Sequence, residues 1–210
     1  MSFQAFLQTI IYIISSSLLI PVMFFLVALI CWILYQGGMV FAEWIERKKL
    51  RKLNDIDKFI EKIIQNQKIP EELFDYFTAN VVNYFKKLNK IIEDKNKNLI
   101  EIKIENLLQE KELKMQKEVD RIKIAVRIGP SLGLMGTLIP MGTGLASLSS
   151  GDINKLSSSL IIAFTTTVVG LAIGAMAYFF AVIKERWTQE DMKNIELFTE
   201  ILMKEKNEIS

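Results

Sequence analysis

Three long windows of the chain hold no charged residue, and densely charged segments separate them. Residues 1–42, 128–151 and 156–183 contain no Asp, Glu, Lys or Arg. A helix needs about 20 apolar residues to cross the roughly 30 Å of bilayer hydrocarbon, and each window is at least that long. The pattern therefore predicts an all-α membrane protein with three transmembrane helices, and it argues against a soluble core fold.

The first window is longer than one span and is interrupted by the run Ser15-Ser16-Ser17 and by Pro21. We predict an interfacial, amphipathic segment at 1–17 and the first transmembrane helix at 18–42. Pro21 then lies near the start of that helix, where a missing amide donor matters least. A secretory signal is not expected, because the segment has no basic start and its uncharged run is too long.

The charges that flank the windows predict their orientation. Basic residues at 47–49 follow the first span, only Asp152 and Lys155 lie between the second and third, and Lys184 follows the third. By the positive-inside rule, the basic ends lie in the cytoplasm. We expect a multi-pass protein of the cell (inner or cytoplasmic) membrane, with its N-terminus outside and its C-terminus in the cytoplasm.

This orientation divides the rest of the chain. The span at 18–42 runs from out to in, the second span at 128–149 from in to out, and the third at 158–183 from out to in. A short extracytoplasmic loop at 150–157 joins the last two. The segments 43–127 and 184–210 become a cytoplasmic helical domain and a cytoplasmic C-terminal helix, so the spans carry long cytoplasmic helical extensions.

Apolar periodicity predicts three helices inside the 43–127 segment. Asn54 is expected to cap the first, and Pro70 to open the second with a favourable first turn. The third shows no break before Gly129-Pro130 and is expected to continue into the second span. The apolar stripe of the second helix is Leu73, Phe77, Val81, Tyr84, Leu88 and Ile91.

Composition removes several classes of function. The chain has no histidine, which is the commonest general base and metal ligand, and Cys31 is its single cysteine. No internal disulfide, metal site or resident cofactor is therefore expected, and we predict that the protein is not an enzyme. The net charge of +2 is too small to indicate a nucleic-acid partner.

Small residues follow one face of the second and third spans, and hydroxyls lie among them. In lipid, such faces allow close helix contact. They most simply pack two helices of one hairpin, but clustered threonines also suit an ion path, although a threonine can bond back to its own helix. The residues predicted to pack against a partner helix are Pro130, Gly133, Gly136, Pro140, Ala163, Gly170 and Gly174, and the predicted path-facing residues are Thr137, Thr166 and Thr167.

The three windows lack any carboxylate, lysine or histidine. Proton relays inside membranes use such groups. If this chain conducts ions, a partner must supply the carboxylate, and the threonines would flank it. The absence of a charged ring disfavours an independent selective pore.

Two stretches resemble the motifs of the MotA/TolQ/ExbB ion-channel family. PSLGLMGTL at 130–138 resembles the second-span form P-x-L-G-L-x-G-T, and AFTTTVVGLAIGA at 163–175 resembles the third-span form A-T-A-x-G-L. Their order, the three spans, the large insert and the short outer loop fit as well. One position departs: Ile162 stands where ExbB and TolQ relatives often have a glutamate, which the MotA branch also lacks.

The resemblance implies a homo-oligomer, a pentamer of this chain around a dimer of a single-span partner like ExbD, TolR or MotB. The partner's membrane aspartate would carry the ion. Thr137 and Thr167 match the motif threonines, with Thr166 beside the latter, and Pro130, Gly133 and Gly136 match the entry motif. Ion flow would turn one component against the other, for nutrient or biopolymer transport, envelope maintenance, motility or phage defence.

The predicted function is thus an ion-channel, stator-like subunit of a motor driven by the ion-motive force, moving H⁺, with Na⁺ as the alternative ion. A second hypothesis is an oligomeric membrane scaffold whose cytoplasmic helices recruit partners.

Overall fold

The computed structural model describes residues 3–50, 60–64, 68–93 and 97–208, and these ranges are helical almost throughout. Residues 60–64 are helical, and no strand occurs in the described ranges. The elements are α1 (Phe3–Ser17), α2 (Leu19–Lys49), a 3₁₀ helix (Glu71–Tyr76), α3 (Ala79–Glu93), α4 (Lys97–Leu148) and α5 (Ile153–Glu208).

Three helical stretches in the described residues are long and apolar enough to cross a membrane. They are Phe3–Lys49, Leu99–Leu148 and Ile153–Lys204. The all-α fold with three membrane helices is therefore confirmed. The finer span limits and the orientation stay predictions, but α5 begins at Ile153, inside the segment expected to be loop.

The helix expected to open at Pro70 is interrupted, which corrects that prediction. Phe77 has an extended backbone (φ −125°, ψ 155°), and α3 begins at Ala79. In this conformation the ring of Phe77 packs against the rings of Phe85 and Phe198, at centroid distances of 5.4 and 5.6 Å. The periodic stripe predicted the buried side but not the break. The cap expected at Asn54 lies outside the described residues.

The break between α1 and α2 has a local cause. Pro21 has no amide hydrogen, so the carbonyl of Ser17 loses the partner that a continuous helix would provide. The hydroxyls of Ser16 and Ser17 donate to the carbonyls of Tyr12 and Ile13, at 2.9 and 2.8 Å. Such back-bonding bends helices, and Leu18 is left as a one-residue turn.

The turn between α4 and α5 is also set by sequence. Gly151 has a positive φ of 77°, a conformation that favours glycine. Asp152 then caps α5, because its Oδ1 accepts the backbone N–H of Lys155 at 3.0 Å. The two helices are thereby joined by only four residues.

The chain divides into two compact units, and Met1–Gly38 with Asp120–Val182 forms the first. Its core is made by α2, α4 and α5, and Gly37 of α2 lies against the ring of Phe180. The buried apolar side chains are Val22, Leu26, Ile33, Ile122, Ala125, Ile139, Ile173, Ala177 and Ala181.

The second unit, Met39–Val119 with Ile183–Ser210, holds a partly buried charged cluster. Arg47 donates to both carboxylate oxygens of Asp191, at 3.0 and 2.7 Å, and to Glu43. Lys184 bonds the other oxygen of Glu43 at 2.6 Å, and Thr78 donates to Asp191. Burial raises the pKa of the Asp191 carboxyl above its ordinary value, and the bonds from Arg47 oppose that rise.

The Arg47–Asp191 pair gives a test of this packing. The Asp191 side chain is 7% exposed, so Asp191→Asn removes one of the two carboxylates that pair with Arg47 in a desolvated place. Glu43, the other carboxylate, is then shared between Arg47 and Lys184. We expect a loss of about 3 kcal/mol in the free energy of unfolding, measured in detergent.

The control is Glu190→Gln on the same helix. It removes the exposed ion pair between Glu190 and Arg186, whose side chains are 54% and 80% exposed, respectively. We expect a loss below about 1 kcal/mol, because exposed pairs contribute little. Equal losses in the two variants would contradict the role given to Asp191.

Candidate ion-path site

The backbones of α4 and α5 meet at Gly133 and Gly170. A Cβ added to Gly170 would lie 2.6 Å from the Cα of Gly133 and 2.7 Å from the carbonyl oxygen of Gly129. Real side chains do not approach so closely, so no residue larger than glycine fits at position 170. The contact is the small-residue approach expected of membrane helices.

The same close approach continues along both helices. A Cβ at Gly136 would lie 2.7 Å from the Cβ of Thr166, and a Cβ at Gly174 would lie 2.7 Å from the ring of Pro130. Pro130 and Pro140 both lie inside α4, which continues through them. Pro130 therefore packs against α5 and does not begin a separate helix.

The hydroxyls of Thr137 and Thr167 lie on this seam and hydrogen-bond to each other. The carbonyl of Gly133 accepts from Thr137 at 2.9 Å, and the carbonyl of Ala163 accepts from Thr167 at 3.1 Å. Both threonines are half-buried. The close glycine contacts on either side are what bring the two hydroxyls, 30 positions apart, together.

A count of hydrogens shows what this pair can do. Two hydroxyls have two hydrogens and four lone pairs. When one hydrogen bonds the other hydroxyl and the second bonds a carbonyl, lone pairs remain to accept a hydrogen bond or to contact a cation. When a hydroxyl rotates, it can donate to an anion. The pair can therefore interact with either protonation state of an acid without carrying a charge itself.

The structure separates the three predicted path-facing threonines. Thr137 and Thr167 are brought together, whereas Thr166 is buried against Gly136 and bonds the carbonyls of Ile162 and Ala163. Thr166 therefore serves the contact between α4 and α5 in this chain. The role of all three in an ion path stays a prediction.

The predicted packing residues lie at the contact between α4 and α5. The glycines face the chain's own neighbouring helix, as the simpler hairpin interpretation predicts, and packing against a partner's helix stays a prediction. The reason is that both spans carry small faces and a four-residue turn joins them. Buried here are Gly133, Gly136, Pro140, Ala163, Gly170 and Gly174, and Pro130 is half-buried.

One residue of the seam, Gly129, was not singled out from the sequence as a packing residue. Gly129 lies four residues before Gly133, so the same periodicity could have found it, and a Cβ there would lie 2.9 Å from Ile173. Thr165 is exposed, and its hydroxyl donates only to the carbonyl of Ile161 at 2.8 Å.

Among the described residues, no group of three or more His, Cys, Asp or Glu side chains is placed to hold a metal ion.

The chain matches the model of a known protein family. The family model described as the MotA/TolQ/ExbB proton channel family matches residues 52–197. The chain belongs to the MotA/TolQ/ExbB family. No curated protein and no solved structure gives a match.

The MotA/TolQ/ExbB match extends well beyond the two quoted motifs, because it includes most of the 43–127 segment and much of the C-terminal helix. The resemblance drawn from 130–138 and 163–175 is thereby confirmed. The family is one of proton channels of motor-like systems and not one of enzymes.

The glycine contact predicts a large effect of one methyl group. We expect Gly170→Ala to lower the free energy of unfolding by about 1–3 kcal/mol, because the added Cβ meets backbone atoms that cannot move aside. Unfolding of the purified protein in detergent measures this.

Gly142→Ala is the matched control on α4, since a Cβ there meets no atom within 4 Å. We expect it to be neutral or stabilising by up to about 1 kcal/mol, because alanine favours the helix. If Gly170→Ala were as stable as Gly142→Ala, the close contact would be disproved.

Proposed function

We propose that this chain is an ion-channel, stator-like subunit of a motor driven by the ion-motive force. It works with a single-span partner that carries an aspartate within the membrane. The observation that carries the proposal is the Thr137–Thr167 hydroxyl pair, which lies in spans that hold no charged residue.

The pair supplies what a mobile carboxylate in a membrane needs. Placing a charged aspartate at the centre of a membrane helix costs roughly 3 kcal/mol on insertion scales. A hydrogen bond to a charged group returns about 1.5–3 kcal/mol, which offsets much of that cost. A lysine would instead hold the carboxylate as an ion pair, so neutral hydroxyls suit a group that must be protonated and released repeatedly.

The proposed assembly is a homo-pentamer around a dimer of an ExbD-, TolR- or MotB-like protein in the cell membrane. The N-terminus lies outside and the C-terminus in the cytoplasm, as the basic flanks favour. H⁺ is the proposed ion, because a hydroxyl pair serves both protonation states of an acid. Two hydroxyls also offer ligands to Na⁺, which remains the alternative.

The first experiment removes the hydroxyl pair. In proteoliposomes that contain the chain and its partner, we expect Thr137→Val with Thr167→Val to reduce ion flux at least tenfold. Valine keeps the shape but cannot donate or accept a hydrogen bond. A pH-sensitive dye inside the vesicles measures the flux, and co-purification measures assembly.

Thr165→Val is the matched control, because this neighbouring hydroxyl is exposed and bonds only its own helix. We expect flux near that of the unmodified chain. Normal flux in the double variant would refute the hydroxyl role and favour the scaffold hypothesis, which predicts loss of function only when the helices of 70–125 are removed.

The second experiment concerns the partner. We expect the chain to co-purify with a protein that has one span containing an aspartate, and Asp→Asn in that span to abolish flux while the complex still forms. Flux by the chain alone would contradict the need for a partner's carboxylate.

A further inference from the structure

A small polar pocket lies between α3 and α4 in the second unit. We call it the lysine pocket. Its volume is about 160 Å³. The residues that line it are Asn80, Asn83, Tyr84, Lys87, Leu107, Glu110, Lys111 and Lys114.

The lining of the lysine pocket is unbalanced in charge. Three lysines against one glutamate leave a formal charge of +2. None of the lysines pairs with Glu110, and within the described part of the chain Lys87 and Lys114 have no ion-pair partner. Like charges held close together repel, so an anion bound between them would stabilise the arrangement.

Lys111 is the fixed member of the group. Its ammonium donates to the carbonyl of Asn80 at 3.0 Å, and its side chain is half-buried. Burial, and then the charges of Lys114 and Lys87, lower the pKa of Lys111 below its ordinary value, although Glu118 and Asp191 oppose this. A held ammonium needs little further ordering to bind a ligand.

We propose that the lysine pocket binds one phosphate group. Three ammonium groups and the amides of Asn80 and Asn83 offer several donors around one cavity. A phosphate group has a charge of about −1.5 to −2 near neutral pH and three strong acceptor oxygens, which match both the charge and the donors of the pocket.

Size and chemistry limit the ligand further. Pockets for whole small molecules are typically about 300–1,000 Å³, so this cavity is large enough for a phosphate group and too small to enclose a whole nucleotide. The group is either free in solution or the headgroup of an anionic lipid. The proposal uses none of the threonines, so it is independent of the proposed function.

The test measures binding of inorganic phosphate to the full chain in nanodiscs of phosphatidylcholine, at constant ionic strength. Labelling of lysines by an amine-reactive reagent, quantified by mass spectrometry, reports occupancy. We expect phosphate to reduce labelling of Lys87 and Lys114 in a saturable way. Lys90 and Lys117, which lie on the same two helices outside the pocket, should be labelled equally with and without phosphate.

Charge-matched variants separate the pocket from the general surface. We expect Lys87→Gln with Lys114→Gln to weaken phosphate binding at least tenfold in equilibrium dialysis, and Lys90→Gln with Lys117→Gln to leave it unchanged. All four lysines are exposed, so both proteins should fold. Equal weakening in the two variants would overturn the proposal.

A second arm identifies the source of the phosphate group. Nanodiscs containing phosphatidic acid, without free phosphate, are labelled in the same way. Protection of Lys87 and Lys114 by inorganic phosphate supports a soluble ligand, and protection by phosphatidic acid alone supports a lipid headgroup. Protection in neither arm, or equal protection of Lys90 and Lys117, would overturn the proposal.

Discussion

The backbones of α4 and α5 touch at Gly133 and Gly170, and the hydrogen-bonded threonine pair depends on this contact. Only glycine allows it, because an added Cβ at position 170 would lie 2.6 Å from the facing Cα. Apolar side chains gain little by leaving lipid for protein, so packing of small residues replaces the hydrophobic effect here. The contact holds the helices close enough for the hydroxyls of Thr137 and Thr167 to meet.

Charge is separated along this chain according to its surroundings. The predicted spans hold none, which suits hydrocarbon and leaves the threonine pair neutral. The second unit instead holds the half-buried Arg47 and the buried Asp191 as a pair joined by two hydrogen bonds, with Glu43 and Thr78 as further partners. In the proposed function, the acid that moves the proton therefore belongs to the single-span partner.

Predictions from sequence were most successful where one local property decides the outcome. The uncharged windows predicted three membrane helices, and the motifs at 130–138 and 163–175 predicted the family. They were least successful at Phe77, where contacts with Phe85 and Phe198 override a helical stripe. The Arg47–Asp191 pair was not predicted, because 144 positions separate the two residues and no local pattern shows that they meet.

The sequence by itself determined that the chain is helical, crosses a membrane and carries small faces with hydroxyls, because these properties follow from composition and periodicity. Only the tertiary structure decided which faces meet. It pairs the glycine faces within one chain, places Thr166 inside the seam and brings Thr137 to Thr167. Periodicity predicts the face of a helix on which a residue lies. Which residue it contacts on the neighbouring helix depends on how the two helices pack against each other.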